Sequence, residues 1–137
     1  MKEAIQMKWT GGMAFEADVD NYTIMLDAKP EHGGKVRGPR PKPLMMVALA
    51  GCTGMDVISL LNKMRIEVED FNIVVEGELT EEHPKHYTSM HIIYEFKGKD
   101  LPPDKLKKAI ELSQDKYCGV SAVYKRVLNL TYEIKLL

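Results

Sequence analysis

A chain of 137 residues is long enough for one domain with a buried core, and we expect a single domain over 1–137. With 19 basic against 20 acidic residues, no net field draws the chain to nucleic acid or an anionic membrane, and neither is expected as a partner. The first residues lack the apolar run of a secretory signal, which favours a cytoplasmic protein with reduced thiols.

The N-terminal part of the chain is predicted to form strands. Residues 3–9 and 13–27 are short extended runs, and turn-prone residues at 18–21 divide the second run into a hairpin. A loop follows over 29–43, because four prolines and three glycines exclude both a helix and a central strand. A loop of this kind suits a functional or subunit-crossing role.

Residues 44–65 predict a helix that is apolar almost all the way round at its start. The first 18 of these residues are long and apolar enough to be compared with a membrane span. Asp56 lies inside them, however, and a carboxylate at mid-span costs about 2.5–3.5 kcal/mol. We therefore interpret this segment as the central, buried helix of a soluble protein.

The C-terminal half contains strands and helices that do not strictly alternate. Residues 67–78 and 87–96 are rich in β-branched and aromatic side chains, which predicts two long strands. Pro103 opens a second helix, 119–126 forms a third, and 128–137 forms a last strand. The residues spaced for one face of the second helix are Leu106, Ala109, Ile110, Ser113 and Tyr117. The order βββ-α-ββ-αα-β indicates an α+β fold.

The two cysteines, Cys52 and Cys118, form the one plausible chemical centre. They lie 66 residues apart without a CxxC pair, and the four histidines show no spacing matched to them. No metal site is therefore expected, and no cofactor is predicted. Taken singly, each thiol is better explained as a small buried hydrophobe.

The local context of each thiol adds information. Cys52 lies between Gly51 and Gly54, and a glycine in a helix costs about 1 kcal/mol relative to alanine, so either a second helix or a ligand is expected to approach closely. Asp56, four residues after Cys52, would oppose its ionisation. Cys118 lies at a predicted helix junction, where N–H dipoles favour the thiolate.

These residues carry a family resemblance. The stretch around the first cysteine, GGKVRGPRPKPLMMVALAGCTGMDVISLL, resembles the Gly-Pro-x-Pro loop, buried helix and Ala-Gly-Cys of the OsmC/Ohr superfamily, and DKYCGVSAVYKR resembles its second-cysteine segment. Three further stretches are similar to the YhfA-like branch: MKWTGGMAF, EGELTEEHPKHYTSMHIIYEFKGKDL and ELSQDKYCGVSA. The resemblance covers nearly the whole chain.

The resemblance implies both an assembly and an activity. The assembly is an intertwined homodimer in which two long central helices are wrapped by swapped antiparallel sheets, with the active sites at the subunit interface. The activity is reduction of small organic hydroperoxides in the oxidative stress response: Cys52 becomes a sulfenic acid and Cys118 resolves it to a disulfide. A dithiol reductant, such as a lipoyl group, thioredoxin or a small thiol, would restore both thiols.

One departure from the family concerns thiol activation. Peroxidases of the family use an arginine from the N-terminal strands, paired with a glutamate near the start of the central helix, to hold the first thiol as thiolate. The corresponding positions fall in 11–15 and 42–43, which contain no arginine and no acid. Candidates for the missing positive charge are the loop cations Arg37, Arg40 and Lys42. Alternatively, these side chains are only solvent-exposed cations of the loop and have no effect on the thiol.

Two other functions stay open beside the peroxidase. The first is a binding protein that holds a small apolar ligand at the subunit interface, with the loop cations meeting its carboxylate. The residues expected to line that cavity are Met45, Met46, Leu49 and Met55. The second is an inactive relative that persists as a structural or stress-associated dimer.

Overall fold

The computed structural model describes residues 1–137. It contains nine regular elements, namely β1 (Gln6–Gly11), β2 (Ala14–Val19), β3 (Tyr22–Leu26), α1 (Leu44–Lys63), β4 (Asp70–Leu79), β5 (Tyr87–Lys97), α2 (Pro103–Leu112), α3 (Gly119–Tyr124) and β6 (Asn129–Leu136). A single 3-10 turn covers Pro30–His32, and a π-helical turn covers Ser113–Tyr117. The predicted order βββ-α-ββ-αα-β and the α+β class are confirmed.

The chain forms two compact units, Met1–Met45 and Met46–Leu137. The first contains the antiparallel sheet β1-β2-β3, and the second contains the sheet β4-β5-β6 with the three helices. A single domain over the whole chain stays a prediction.

The hairpin of the first unit fixes its strand register. Asp20 and Asn21 have φ values of 51° and 66°, the paired left-handed conformation of a tight two-residue hairpin turn. This turn places Val19 of β2 opposite Tyr22 of β3. On the other side of β2, β1 pairs with Gln6 opposite Asp18. The first strand was predicted from residue 3 but begins at Gln6, because β2 ends at Val19, opposite Ile5, and offers residues 3 and 4 no partner.

One face of this sheet is apolar. Paired residues share a face, and the pairs Met7 with Ala17, Trp9 with Phe15, and Ala17 with Ile24 are all apolar. Trp9 is nevertheless 61% exposed, and Phe15 and Ile24 are exposed as well. Several apolar side chains on this face are therefore left exposed to solvent within the chain.

Asp27 organises the loop that follows β3. It is buried, and its carboxylate accepts backbone N–H bonds from Ala28 at 2.8 Å, Lys35 at 3.1 Å and Arg37 at 3.2 Å. The Arg37 guanidinium adds a bond from Nε at 3.3 Å. Burial raises the pKa of Asp27, but these donors outweigh it and lower the pKa to about 2.

We expect Asp27→Asn to destabilise the protein at neutral pH. The folded-state pKa of Asp27, about 2, lies below the unfolded value of about 3.9, so its stabilisation is complete above about pH 4 and is lost as pH falls towards 2. Thermal unfolding should therefore show a lower Tm for Asp27→Asn at pH 7 and a shrinking difference from wild type between pH 4 and 2. Glu31→Gln, an exposed acid of the same loop, serves as control; an equal loss in both variants would contradict the role of Asp27.

The sheet of the second unit is mixed. β4 and β5 pair antiparallel from Asp70 opposite Lys97, whereas β5 and β6 pair parallel from Ser89 opposite Asn129. The expectation of purely antiparallel sheets is wrong at this pair. The connection over 98–128 contains α2 and α3. A crossover of that length returns the chain to the edge of the sheet at which β5 begins, so β6 can run parallel to β5.

α1 buries one stripe within the chain. The buried residues are spaced four apart, namely Leu49, Thr53, Val57 and Leu61. The core around them is formed by side chains of β5 and α2, namely Met90, Ile92, Tyr94, Phe96, Leu106 and Ile110. By length and composition α1 could cross a membrane, and 22% of its most apolar window is buried. The packed stripe and the inserted carboxylate of Asp56 are those of a core helix of a soluble protein.

The rest of α1 is less buried than expected. Val47 and Met55, on the side away from the stripe, are exposed, Met55 by 77%. A second difference concerns Tyr117, which was expected on the buried face of the second helix but is half exposed. The π-helical turn Ser113–Tyr117 adds a residue to the helical repeat and rotates Tyr117 outward.

Candidate functional site

The fold brings the two thiols together. Cys52 lies in α1, and Cys118 lies between the π-helical turn and α3. The Sγ atoms of both cysteines and a carboxylate oxygen of Asp56 all lie within 4.8 Å of one another. Two residues that are 66 positions apart in sequence thus form one cluster with an acid that follows Cys52 by one helical turn.

Cys118 is the N-cap residue of α3, at the helix junction expected from the sequence. Its backbone is extended, with φ −75° and ψ 104°, and its Sγ accepts the backbone N–H of Ser121 at 3.3 Å. Its own N–H donates to the carbonyl of Ser113 at 2.7 Å. Cys118 is only 2% exposed, so this thiol is held by backbone bonds in a buried position.

Cys52 is half-buried, and its environment disfavours the thiolate. Burial is the largest cause that raises the pKa of Cys52, and the neighbouring Cys118 and Asp56 raise it further. A hydrogen bond from the backbone N–H of Val120 lowers it, but not enough to compensate. The predicted opposition of Asp56 to ionisation of Cys52 is therefore present in the structure.

Asp56 ends a directed chain of hydroxyl groups. As a carboxylate it only accepts, so the Ser113 hydroxyl donates to Oδ2 at 3.0 Å. The single hydrogen of Ser113 is then used, so Thr53 Oγ1 donates to Ser113 Oγ at 2.8 Å, and Tyr94 donates to Thr53 Oγ1 at 2.7 Å. Gln114 Nε2 donates to the Tyr94 oxygen at 2.8 Å. Each hydroxyl dipole points towards Asp56 and stabilises its negative charge.

This network could not be predicted from the sequence. Its one visible signal was the presence of Thr53 and Asp56 inside an otherwise apolar helix, because buried polar groups require partners. The partners Tyr94, Ser113 and Gln114 lie in β5 and after α2, and no local pattern links them to α1.

The glycines beside Cys52 have different surroundings. A Cβ on Gly54 would lie 2.8 Å from Cδ1 of Ile73, so the close approach expected there is present, but it is made by strand β4 and not by a second helix or a ligand. A Cβ on Gly51 would meet nothing within 4 Å. The exposed side of α1 at Gly51 is therefore open within the chain.

The candidate cations lie in the first unit. The Arg37 guanidinium bonds Asp27, and its Nη2 donates to the carbonyl of Gly11 at 3.1 Å, so this side chain has partners of its own. Arg40 and Lys42 are exposed. An effect of any of the three on Cys52 stays a prediction.

The apolar candidates divide between core and surface. Leu49 is fully buried and Met46 packs against the core, whereas Met45 and Met55 are exposed. A cavity not foreseen from the sequence lies in the first unit, with a volume of about 260 Å³ and an apolar lining. Its lining residues are Met7, Met13, Phe15, Leu26, Asp27, Ala28 and Pro41.

Comparison with known proteins decides the family. The sequence profile of the family described as OsmC-like protein matches residues 32–133. The chain belongs to the OsmC-like family. It is 30% identical over 128 residues to Protein YhfA of Escherichia coli (strain K12), which covers 93% of this chain and 92% of that protein. The resemblance inferred from the two cysteine segments is therefore confirmed.

Solved structures of the same fold extend the comparison. A hypothetical protein from Aquifex aeolicus VF5 superimposes with a TM-score of 0.84 at 30% identity, over 100% of this chain and 98% of that chain. The organic hydroperoxide resistance protein OhrB of Bacillus subtilis superimposes with a TM-score of 0.68 at 17% identity, over 98% of both chains. At that identity, the likeness to OhrB shows the shared fold.

Because its pKa is raised, Cys52 should react slowly with iodoacetamide at pH 7, and the rate should climb as pH rises towards that pKa. Asp56→Asn removes a negative neighbour and should shift the profile to lower pH. Alkylation of reduced, chelator-treated protein, followed by peptide mass spectrometry, reads Cys52 separately from Cys118. A profile that Asp56→Asn leaves in place would show that the carboxylate does not act on this thiol.

Proposed function

We propose that this protein is a thiol-dependent reductase of small organic hydroperoxides, with Cys52 as the attacking thiol and Cys118 as the resolving thiol. The observation that carries the proposal is the approach of the two Sγ atoms to within 4.8 Å in a chain of the OsmC-like family. A related fold belongs to a protein named for organic hydroperoxide resistance, which supports the same substrate class.

The reaction has two steps. The Cys52 thiolate attacks the outer peroxide oxygen and breaks the O–O bond, so that Cys52 becomes a sulfenic acid and the alkoxide takes a proton to leave as an alcohol. Cys118 sulfur then attacks the sulfenic sulfur, a disulfide forms, and water leaves with the thiol proton. A dithiol reductant, such as a lipoyl group, thioredoxin or a small thiol, returns both cysteines to thiols.

The surroundings of Cys52 favour an apolar peroxide and a slow first step. The exposed side of α1 near this thiol carries Ala48 and Met55, which suits an alkyl or aryl group better than a charged one. The raised pKa of Cys52 leaves little thiolate at neutral pH. Arg37, Arg40 and Lys42 stay our candidates for a compensating charge.

We also propose that the active form is a homodimer in the cytoplasm. The apolar face of β1-β2-β3 and the exposed side of α1 both lack a covering element. On α1 the open position at Gly51, flanked by Val47 and Met55 at four-residue spacing, would admit a second α1 at close range. Family resemblance supports the same assembly.

The peroxidase is tested by consumption of cumene hydroperoxide with dihydrolipoamide or dithiothreitol, in the presence of a chelator. Cys52→Ser should reduce the rate at least about 100-fold, to that of the uncatalysed reaction, because the remaining thiol, Cys118, is only 2% exposed and is shielded from the peroxide. Activity should increase from pH 7 to 9 as more Cys52 ionises.

Cys118→Ser provides the matched control. This variant should still react once, and it should accumulate a Cys52 sulfenic acid that dimedone traps, while turnover through a disulfide stops. Wild-type activity no higher than that of Cys52→Ser would overturn the peroxidase. It would favour the alternative of an inactive dimer that binds a small apolar ligand near Met45 and Met55.

The dimer is tested by sedimentation equilibrium of Met55→Glu. If Met55 lies in the interface, each dimer buries two new carboxylates, and the dissociation constant should rise at least about 100-fold, equivalent to about 2.7 kcal/mol. Val127→Glu is a matched control, because Val127 is 78% exposed and also apolar. Equal dissociation constants for the two variants would exclude α1 from the interface.

A further inference from the structure

The cluster of Cys52, Cys118 and Asp56 can carry up to three negative charges and contains no basic side chain. The two Sγ atoms and a carboxylate oxygen of Asp56 lie within 4.8 Å of one another. No basic side chain forms an ion pair with Asp56. Lys63 lines a small cavity together with Asp56 but does not pair with it. If both thiols ionised, three anionic groups would repel one another, so only a bound cation would make this state favourable.

The spacing of the three ligand atoms suits a tetrahedral ion. Zn–S bonds of about 2.3 Å and Zn–O bonds of about 2.0–2.2 Å place tetrahedral ligands about 3.6–3.8 Å apart. The atoms of Cys52, Cys118 and Asp56 lie within 4.8 Å of one another, so at most about 1 Å of side-chain movement would close them on an ion. Cys52 and Asp56 come from successive turns of α1, which keeps two of the ligands on one rigid element.

Each ligand is already oriented by a hydrogen bond. The backbone N–H of Val120 donates to the Cys52 sulfur, and that of Ser121 donates to the Cys118 sulfur at 3.3 Å. The Ser113 hydroxyl donates to Asp56 Oδ2 at 3.0 Å. Donors of this kind stabilise anionic ligands and fix their direction, as the outer partners of metal ligands do.

The same turn holds an unmet polar group. The Ser121 hydroxyl is buried and has no hydrogen-bond partner in the chain, although the backbone of the same residue bonds Cys118. A water carried into the site by a cation would offer such a hydroxyl a partner. Cys52 and Asp56 are half-buried, so an ion can reach the cluster from solvent.

We propose that the reduced protein binds one thiophilic divalent cation, Zn²⁺ or a chemical equivalent, through Cys52 Sγ, Cys118 Sγ and one oxygen of Asp56. The expectation of no metal site considered histidines as partners of the cysteines and did not include the carboxylate one turn away. Two thiolates and a carboxylate with a water in the fourth position form a ligand set that Zn²⁺ accepts. Binding needs only reduced thiols, so it is independent of the proposed peroxidase reaction.

The test is a Zn²⁺ titration of the reduced, metal-free full chain in competition with a chromophoric chelator. We expect one ion per chain, loss of binding in Cys52→Ser and Cys118→Ser, and at least tenfold weaker binding in Asp56→Asn. Asp115→Asn is the matched control, because Asp115 is an exposed carboxylate close in sequence to Cys118, and its affinity should equal that of wild type. Co²⁺ in place of Zn²⁺ should give sulfur-to-cobalt charge-transfer absorption and the intense visible bands of tetrahedral coordination.

Two results would overturn the site. Wild-type affinity in Asp56→Asn, with its fold verified by circular dichroism, would mean that the thiols bind an adventitious ion only. Absence of stoichiometric binding, or a Co²⁺ spectrum without the charge-transfer band, would reject the ligand set. Peroxide consumption is measured on metal-free protein, so the two proposals are tested separately. Peroxide turnover without metal binding would overturn only the metal site, and metal binding without turnover would overturn only the proposed function.

Discussion

The hydrogen-bonded chain from Tyr94 through Thr53 and Ser113 to Asp56 is the interaction on which the site depends. It joins β5, α1 and the segment after α2, three parts of the chain that would otherwise meet only through apolar contacts. If these elements shifted relative to one another, the buried Thr53 hydroxyl would lose its partners, at a cost of about 1–3 kcal/mol. The hydrogen bonds therefore favour one relative position of the three elements. In that position Cys118, bonded to the Ser113 carbonyl, faces Cys52.

The same arrangement sets the chemical character of the thiols. A network that directs hydroxyl dipoles at Asp56 keeps a negative charge close to both sulfurs. That charge hinders the ionisation that peroxide attack requires, and it favours the arrival of a cation. A cation beside Cys52 would reverse the first of these effects, because a neighbouring positive charge lowers the pKa of a thiol.

Local sequence patterns predicted the element order because hydrophobic period and turn residues act over short distances. The break at Asp20 and Asn21 and the helix from Leu44 to Lys63 are of this kind. The parallel pairing of β5 with β6 was not predictable, because strand direction depends on a crossover and not on the strand residues. Proximity of the two cysteines came from family resemblance. The roles of Tyr94 and Ser113 depend on contacts between distant segments, which periodicity does not encode.

The proposed redox chemistry and the proposed metal binding would compete for one pair of sulfurs. A disulfide between Cys52 and Cys118 leaves no thiolate to bind a cation, and a bound cation would withdraw negative charge from the sulfurs and make them weaker nucleophiles towards a peroxide. The oxidation state of this site would therefore determine whether the cation is held or released, and Asp56, which disfavours the free thiolate, would favour the metal-bound one.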